Sequence, residues 1–317
     1  MGKWIFRGFI AVLLLLGISI ILLWTPDTKR EEMIAKYGGS QALWTKSASG
    51  QDIHYRDQGP KDAPALILIH GSNASLHTWD DWVARLQSDY RVIRMDLPGH
   101  GISGPHPQAD YSASAMIDAV ASVANAADVE RFTIVGNSMG GWVSWRFALT
   151  QPERISHLVL IDSSGPPPPD ASKRKLPIGY RLAQIPVLNR LFAKLMSRSL
   201  IESSFKKNVV DPSLATKERV DRYWELLRFP GNRQALLNRF ATDREISYVQ
   251  QLPTLSMPTL LLWGREDTIV PIGIGEVFDR EIPNSQLIVY ENIGHLPMIE
   301  NSAQSVQDLR KFLESNP

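Results

Sequence analysis

The sequence contains no cysteine. That excludes a disulfide framework, a thiolate zinc site and a cysteine nucleophile, and it leaves the redox compartment open. There is also no excess of charge: 34 Lys and Arg stand against 33 Asp and Glu, a formal net charge of +1. Phosphate backbones are bound by clustered basic excess, so nucleic acid is not an expected partner. No internal repeat is visible. No His, Asp and Glu recur at metal-ligand spacing, so neither metal nor cofactor is expected. What the chain does have is apolar mass, 44% apolar against 21% charged residues over 317 positions. That suits one large α/β domain carrying an insertion.

The longest apolar run is "GFIAVLLLLGISIILLW", residues 8 to 24, with Lys3 and Arg7 before it and Trp4 and Trp24 at its two ends. It is long enough for a membrane span and has aromatic residues where membrane interfaces place them. A cleaved signal peptide is the competing reading, but the small-x-small pattern Gly17-Ile18-Ser19 lies inside the run rather than after it. A buried core helix is the third reading, disfavoured because the run has no polar face at all. The sequence therefore predicts a single-pass amino-terminal anchor over residues 1–24. Basic residues lie on both sides of it, and the short basic segment at the amino terminus points to an exported, periplasmic main domain. Residues 25–41 read as a tether or a loosely packed lead-in helix.

Beyond residue 42 short β-type runs alternate with helical patterns. The strand candidates are 52–57, 65–70, 90–95, 132–135, 155–161, 259–263 and 286–290. The helical patterns fall at 76–88, 113–126, 139–151 and 303–314. Continuously apolar runs such as "ALILI", "HLVLI" and "TLLLW" suit strands covered on both faces. The alternation predicts an α/β fold with a mostly parallel central sheet and helices on both faces. Four prolines, Pro166 to Pro169, interrupt it. A helical pattern without strands then runs to about Gln250. Residues 166–250 are therefore expected to form a helical cap between two parts of one core, 42–165 and 251–317.

The chemistry centres on "VGNSMGGW". Gly136-x-Ser138-x-Gly140 stands between a strand and a helix. A serine on a sharp turn there projects its hydroxyl above the sheet, and the flanking glycines avoid clashes with strand and helix. A nucleophilic serine needs a base, and the base needs an orienting acid. "TLLLWGREDTIVP" places Asp267 after a buried strand, and "VYENIGHLPMIE" places His295 after the last strand. The oxyanion hole would come from the backbone N–H groups of Met139, after the nucleophile, and Ser72, in "HGSN" after an earlier strand.

Together "LIHGSNASLHTW", "RMDLPGHGIS", "VGNSMGGW", "LLLWGREDTIVP" and "IGHLPMIE" resemble the α/β-hydrolase superfamily over nearly all of residues 42 to 316. "GNSMGG" and "GHLPMIE" look most like the bacterial serine lipase/esterase branch, related to the meta-cleavage-product hydrolases. The resemblance implies Ser138 as nucleophile, His295 as proton shuttle and Asp267 as orienting acid. Serine at position 138 departs from the aspartate of epoxide hydrolases and haloalkane dehalogenases. The "HGSNAS" loop is poorer in glycine than in meta-cleavage hydrolases.

Asp162, ending the strand "HLVLID", is a rival for the acid, since some relatives place it there. Glu266 reads as a surface or supporting group. Asp96, His100 and His70 read as loop-bracing residues. His54, His77, His106 and His157 have no motif context. Lys173, Arg174 and Lys175 read as a solvated face of the cap, and Leu182, Ile185, Leu188, Leu191 and Phe192 as packing. The expected activity is cleavage of carboxylic esters, with small-molecule or lipid-like apolar acyl substrates. A carbon–carbon bond hydrolase, a thioesterase and a non-catalytic binding protein are the alternatives. Oligomeric state is not legible.

Overall fold

The computed structural model describes residues 7, 23–165, 193–241 and 246–317. Its strands are β1 (Leu43–Lys46), β2 (Asp52–Gln58), β3 (Ala65–Ile69), β4 (Arg91–Met95), β5 (Phe132–Asn137), β6 (Ile155–Ile161), β7 (Thr259–Gly264) and β8 (Ser285–Tyr290). Its longer helices are α1 (Asp80–Leu86), α2 (Ala113–Ala126), α3 (Met139–Thr150), α4 (Arg198–Asn208), α5 (Lys217–Leu227), α6 (Asn232–Ala241), α7 (Gly273–Glu281) and α8 (Ser302–Ser315).

The strands form one sheet in the order β1-β2-β4-β3-β5-β6-β7-β8. The β1–β2 and β2–β4 pairs are antiparallel and the rest parallel. Every residue of β5 and β7 is buried, because helices cover both faces of a parallel sheet. Alternate residues of β3 show the two layers. Ile67 and Ile69 pack with Met116, Val120, Val143, Phe147 and Phe278 of α2, α3 and α7. Leu66 and Leu68 pack with Trp82, Leu86, Leu309 and Phe312 of α1 and α8. Trp82 Nε1 donates to Ser305 Oγ at 3.0 Å, joining α1 to α8. The expected mostly parallel α/β sheet is therefore present.

The insertion leaves after β6 and returns before β7. Its described part carries α4, α5 and α6, followed by a 3₁₀ segment, Ile246–Thr254. The proline run, the basic triplet 173–175 and the apolar positions 182–192 lie outside the described residues. Polar bonds hold the cap to the core. Arg222 Nη1 donates to Asp80 Oδ2 at 2.8 Å, Asn232 Nδ2 to Gly101 O at 3.0 Å and Arg239 Nη1 to Gly99 O at 3.1 Å.

Residues 25 to 41 rest on the cap. Thr25 N donates to Lys194 O and Thr28 N to Arg228 O. The buried Arg233 bonds Thr25 O at 2.8 Å and pairs with Asp27. Met33 and Tyr37 join a small core with Ile102, Leu226 and Phe229.

The single-pass anchor expected over residues 1–24, and the periplasmic placement drawn from it, are corrected here. Among the described residues no helix is long and apolar enough to cross a membrane. By Trp24 the chain has left helical structure, and from Thr25 its backbone is bonded to the cap. An apolar run supports a membrane span only as one continuous helix of sufficient length, and the bulk of this run, residues 8–22, lies outside the described residues.

The loop after β4 shows how the sheet edge is fastened. Asp96 Oδ1 accepts Leu76 N at 2.8 Å, and Oδ2 accepts Ile102 N at 3.0 Å and meets His54 Nδ1 at 2.8 Å. Burial alone would raise this carboxyl, but the hydrogen bond and charge of His54, with the Leu76 N–H, hold it below the usual carboxylate range. A depressed folded value stabilises the fold above the unfolded Asp value near ~4, and that contribution is lost as pH falls through the folded value. Asp96→Ala is expected to cost about 2–4 kcal/mol, since it orphans a buried histidine and two N–H groups. Denaturant melts at pH 7 check the magnitude. The gap between wild type and variant should shrink under acid, and a gap that widens below pH 4 would contradict this role.

Candidate active site

Ser138 occupies the junction of β5 and α3 with φ 54° and ψ −118°. Positive φ is costly for a residue with a side chain and persists where the surroundings over-determine it. Here they do. Ser138 N donates to Ile161 O at 3.0 Å, and its carbonyl accepts Trp142 N at 3.1 Å and Ser164 N at 2.9 Å. A Cβ at position 136 would lie 2.2 Å from Gly140 O, and one at 140 would lie 2.1 Å from Ile69 O. Strand, turn and helix can come this close only with glycine at both positions.

The loop after β3 presses against the same turn. A Cβ at Gly71 would lie 3.2 Å from the Ser138 Cβ. Ser72, next in that loop, and Met139, first in α3, are thus both carried by segments bordering Ser138. His70 ahead of them is a brace. Its Nδ1 bonds Gly71 O at 2.7 Å and its Nε2 accepts Leu97 N at 3.1 Å. With both ring nitrogens occupied and burial pushing its pKa down, it has no atom free to act as a base.

His295 follows β8. Its Nδ1 lies 2.7 Å from Asp267 Oδ2. The other carboxylate oxygen, Asp267 Oδ1, accepts Ile269 N at 2.7 Å and Val270 N at 2.9 Å. Asp267 is therefore fixed by three donors. A His295 ring that donates from Nδ1 keeps Nε2 as the atom able to take a proton. The backbone of this loop is held as well. His295 N donates to Asn208 O of the cap at 2.7 Å. Glu300 accepts Val210 N at 2.7 Å and Gly294 N at 3.0 Å, tying the cap to the His295 loop.

The acid rivals separate clearly. Asp267 bonds the histidine, whereas Asp162 Oδ1 accepts Gly264 N at 3.0 Å. Glu266 accepts Ile293 N at 3.0 Å and braces the loop from outside. One side-chain N or O atom from each of Asp162, Asp267 and His295 lies within 4.8 Å of the others. These are the acids and histidines among the described residues gathered closely enough for a cation. Within this group His295 Nδ1 and Asp267 Oδ2 are bonded to each other. His100 is buried with its Nδ1 on Pro98 O, and burial holds its pKa well below the ordinary histidine value. His54 is taken by Asp96, and His157 lies between Thr133 and Asn316.

Two residues were not singled out from sequence. Asn137 Nδ2 donates to Ile161 O at 3.1 Å and to His295 O at 3.2 Å, fixing the residue beside Ser138 to the histidine itself. Its position directly before the serine was the available signal. Glu300 is the other, and nothing local in "PMIE" marks it as a clamp.

Two crevices lie where α1 and the lead-in segment meet α5. They are lined by residues such as His77, Asp80, Glu218 and Arg222, and do not reach Ser138, Asp267 or His295.

Removing the Asn137 amide should misplace His295 against Ser138. Asn137→Ala is expected to lower kcat/KM for p-nitrophenyl acetate roughly ten- to a hundredfold, with circular dichroism unchanged. An unaltered kcat/KM would remove Asn137 from the positioning scheme.

With this geometry in view, the chain matches the family model described as alpha/beta hydrolase fold over residues 64–302. It is 31% identical over 265 residues to the pimeloyl-[acyl-carrier protein] methyl ester esterase of Aliivibrio salmonicida (strain LFI1238), covering 83% of this chain and 96% of that one. It is 30% identical over 257 residues to the 2-hydroxymuconate semialdehyde hydrolase of Pseudomonas sp. (strain CF600), covering 78% and 86%. Among solved structures it resembles the crystal structure of a membrane phospholipase A, described as a bacterial virulence factor. That match has a TM-score of 0.71 and 26% identity, and covers 99% of both chains. The chain belongs to the α/β-hydrolase fold family and is a hydrolase of that type.

Proposed function

We propose that this protein is a serine hydrolase that cleaves carboxylic esters of lipid-like, apolar acyl groups through an acyl-enzyme. The observation that carries the reading is the 2.7 Å bond between His295 Nδ1 and Asp267 in a loop that Asn137 ties to the Ser138 turn. Ser138 Oγ attacks the ester carbonyl carbon while His295 Nε2 takes its proton. The N–H groups of Ser72 and Met139 receive the oxyanion. The carbon–oxygen bond to the alcohol breaks, and His295 returns the proton to the departing oxygen. Water then repeats the sequence on the acyl-enzyme. Asp267 keeps the imidazole in the reactive tautomer and stabilises the imidazolium that forms.

Support for the lipid-like part comes from the phospholipase A structure, which matches along 99% of this chain, including the lead-in segment. Similarity to the 2-hydroxymuconate semialdehyde hydrolase supports carbon–carbon bond hydrolysis by the same triad as the second reading.

Initial rates of the full chain on p-nitrophenyl esters of increasing acyl length test the proposal. Rates are expected to rise from acetyl to medium-length acyl groups. Preference for acetyl would remove the lipid-like part alone. Negligible rates at every length, with turnover of a vinylogous 1,5-diketone acid, would replace ester hydrolysis by the second reading. Asp267→Asn should lower kcat roughly 10³- to 10⁴-fold, by analogy with triads whose acid is neutralised.

A further inference from the structure

The mechanism above leaves unused a buried acid that borders the site. Asp162 directly follows β6, with a φ of 43°, and is fully buried. Its N–H donates to Leu262 O at 3.0 Å, and its Oδ1 accepts Gly264 N at 3.0 Å. Its Oδ2 is buried and receives no hydrogen bond from the described residues. Asp267 and His295 each bring a side-chain atom within 4.8 Å. Two buried carboxylates in one cluster oppose each other's ionisation. The donors decide which keeps the charge. Among the described residues Asp267 has three, from His295, Ile269 and Val270, whereas the Asp162 carboxyl has only Gly264 N. A proton on Asp162 Oδ2 would satisfy the orphaned oxygen and give Asp267 a fourth donor.

We propose that Asp162 is a neutral carboxylic acid whose Oδ2–H donates to Asp267, making it a positioning residue for the Ser138 site. Burial first, then the charge of Asp267, also favour the neutral form. The other ionisable groups facing it are His295, Glu300 of the turn after the histidine, and Tyr290 at the end of β8. The donated hydrogen bond spreads the charge of Asp267. With that bond in place the carboxylate attracts a positive charge on the neighbouring ring less strongly than it would without it. This role rests on the Ser138–His295–Asp267 reading, but the protonation state does not.

Two measurements separate them. The first is the infrared difference spectrum of wild type minus Asp162→Asn at pH 7, which needs no substrate. A carboxylic-acid C=O band in the wild type that shifts in D₂O is expected, and a difference confined to carboxylate bands would overturn the proposal. The second is the pH profile of kcat/KM on a p-nitrophenyl ester. Asparagine offers an N–H towards Asp267 and an oxygen towards Gly264, so Asp162→Asn should keep the acid limb within about 0.3 pH units of wild type. Asp162→Ala loses the donor, and its acid limb should move up by roughly half to one unit. A downward shift of about a unit in Asp162→Asn would mean that position 162 carries negative charge, and would overturn the proposal. A wild-type acid limb in a folded Asp162→Ala would overturn the positioning role. If Asp162→Ala does not fold, the infrared band and the Asp162→Asn profile decide. Absence of ester turnover in wild type would sink the proposed function and leave the infrared test standing.

Discussion

The site depends on one hydrogen bond, from His295 Nδ1 to Asp267 Oδ2 at 2.7 Å. A histidine free to rotate between tautomers would present Nε2 as a base only part of the time. Here the ring is held by a carboxylate that is itself held by two backbone N–H groups of its own loop. The order is built from the backbone outwards: loop amides fix Asp267, and Asp267 fixes the ring, whose Nε2 is the base in the proposed mechanism.

The sheet makes that possible. β5, β6, β7 and β8 run parallel, so Ser138, Asp162, Asp267 and His295 all leave the sheet at carboxyl ends of neighbouring strands. Side chains separated by more than 150 positions in sequence then need only short loops to meet, as Asn137 and the His295 carbonyl do. The cap reaches the same edge through Asn208 and Val210, whose backbone is bonded to the histidine loop and Glu300. Motion of that cap segment would therefore be felt at His295.

Much of this was legible in the sequence because its signals are local. Apolar runs marked the buried strands, and the glycines around Ser138 marked the turn where two backbones nearly touch. The misses have physical causes. β1, with Leu43 and Trp44 on an exposed sheet edge, carries no apolar run. α7 opens at Gly273 beyond a proline and contains Gly275 against the Trp263 ring, so propensity argues against a helix that packing creates. The anchor rests on apolarity and on flanking tryptophans and basic residues, and neither signal specifies a continuous helix. In sequence terms Asp162 and Asp267 are rivals, each following a buried strand. Which of the two holds the histidine depends on which loop amides face which carboxylate, and no sequence pattern encodes that.

The most direct test of the central claim is mass mapping of the folded full chain after reaction with a fluorophosphonate. A single adduct on Ser138 is expected, lost in Ser138→Ala and formed far more slowly in Asp267→Asn. A folded wild-type chain that stays unmodified, or one modified at another serine, would contradict the assignment of Ser138, His295 and Asp267 as one reacting unit.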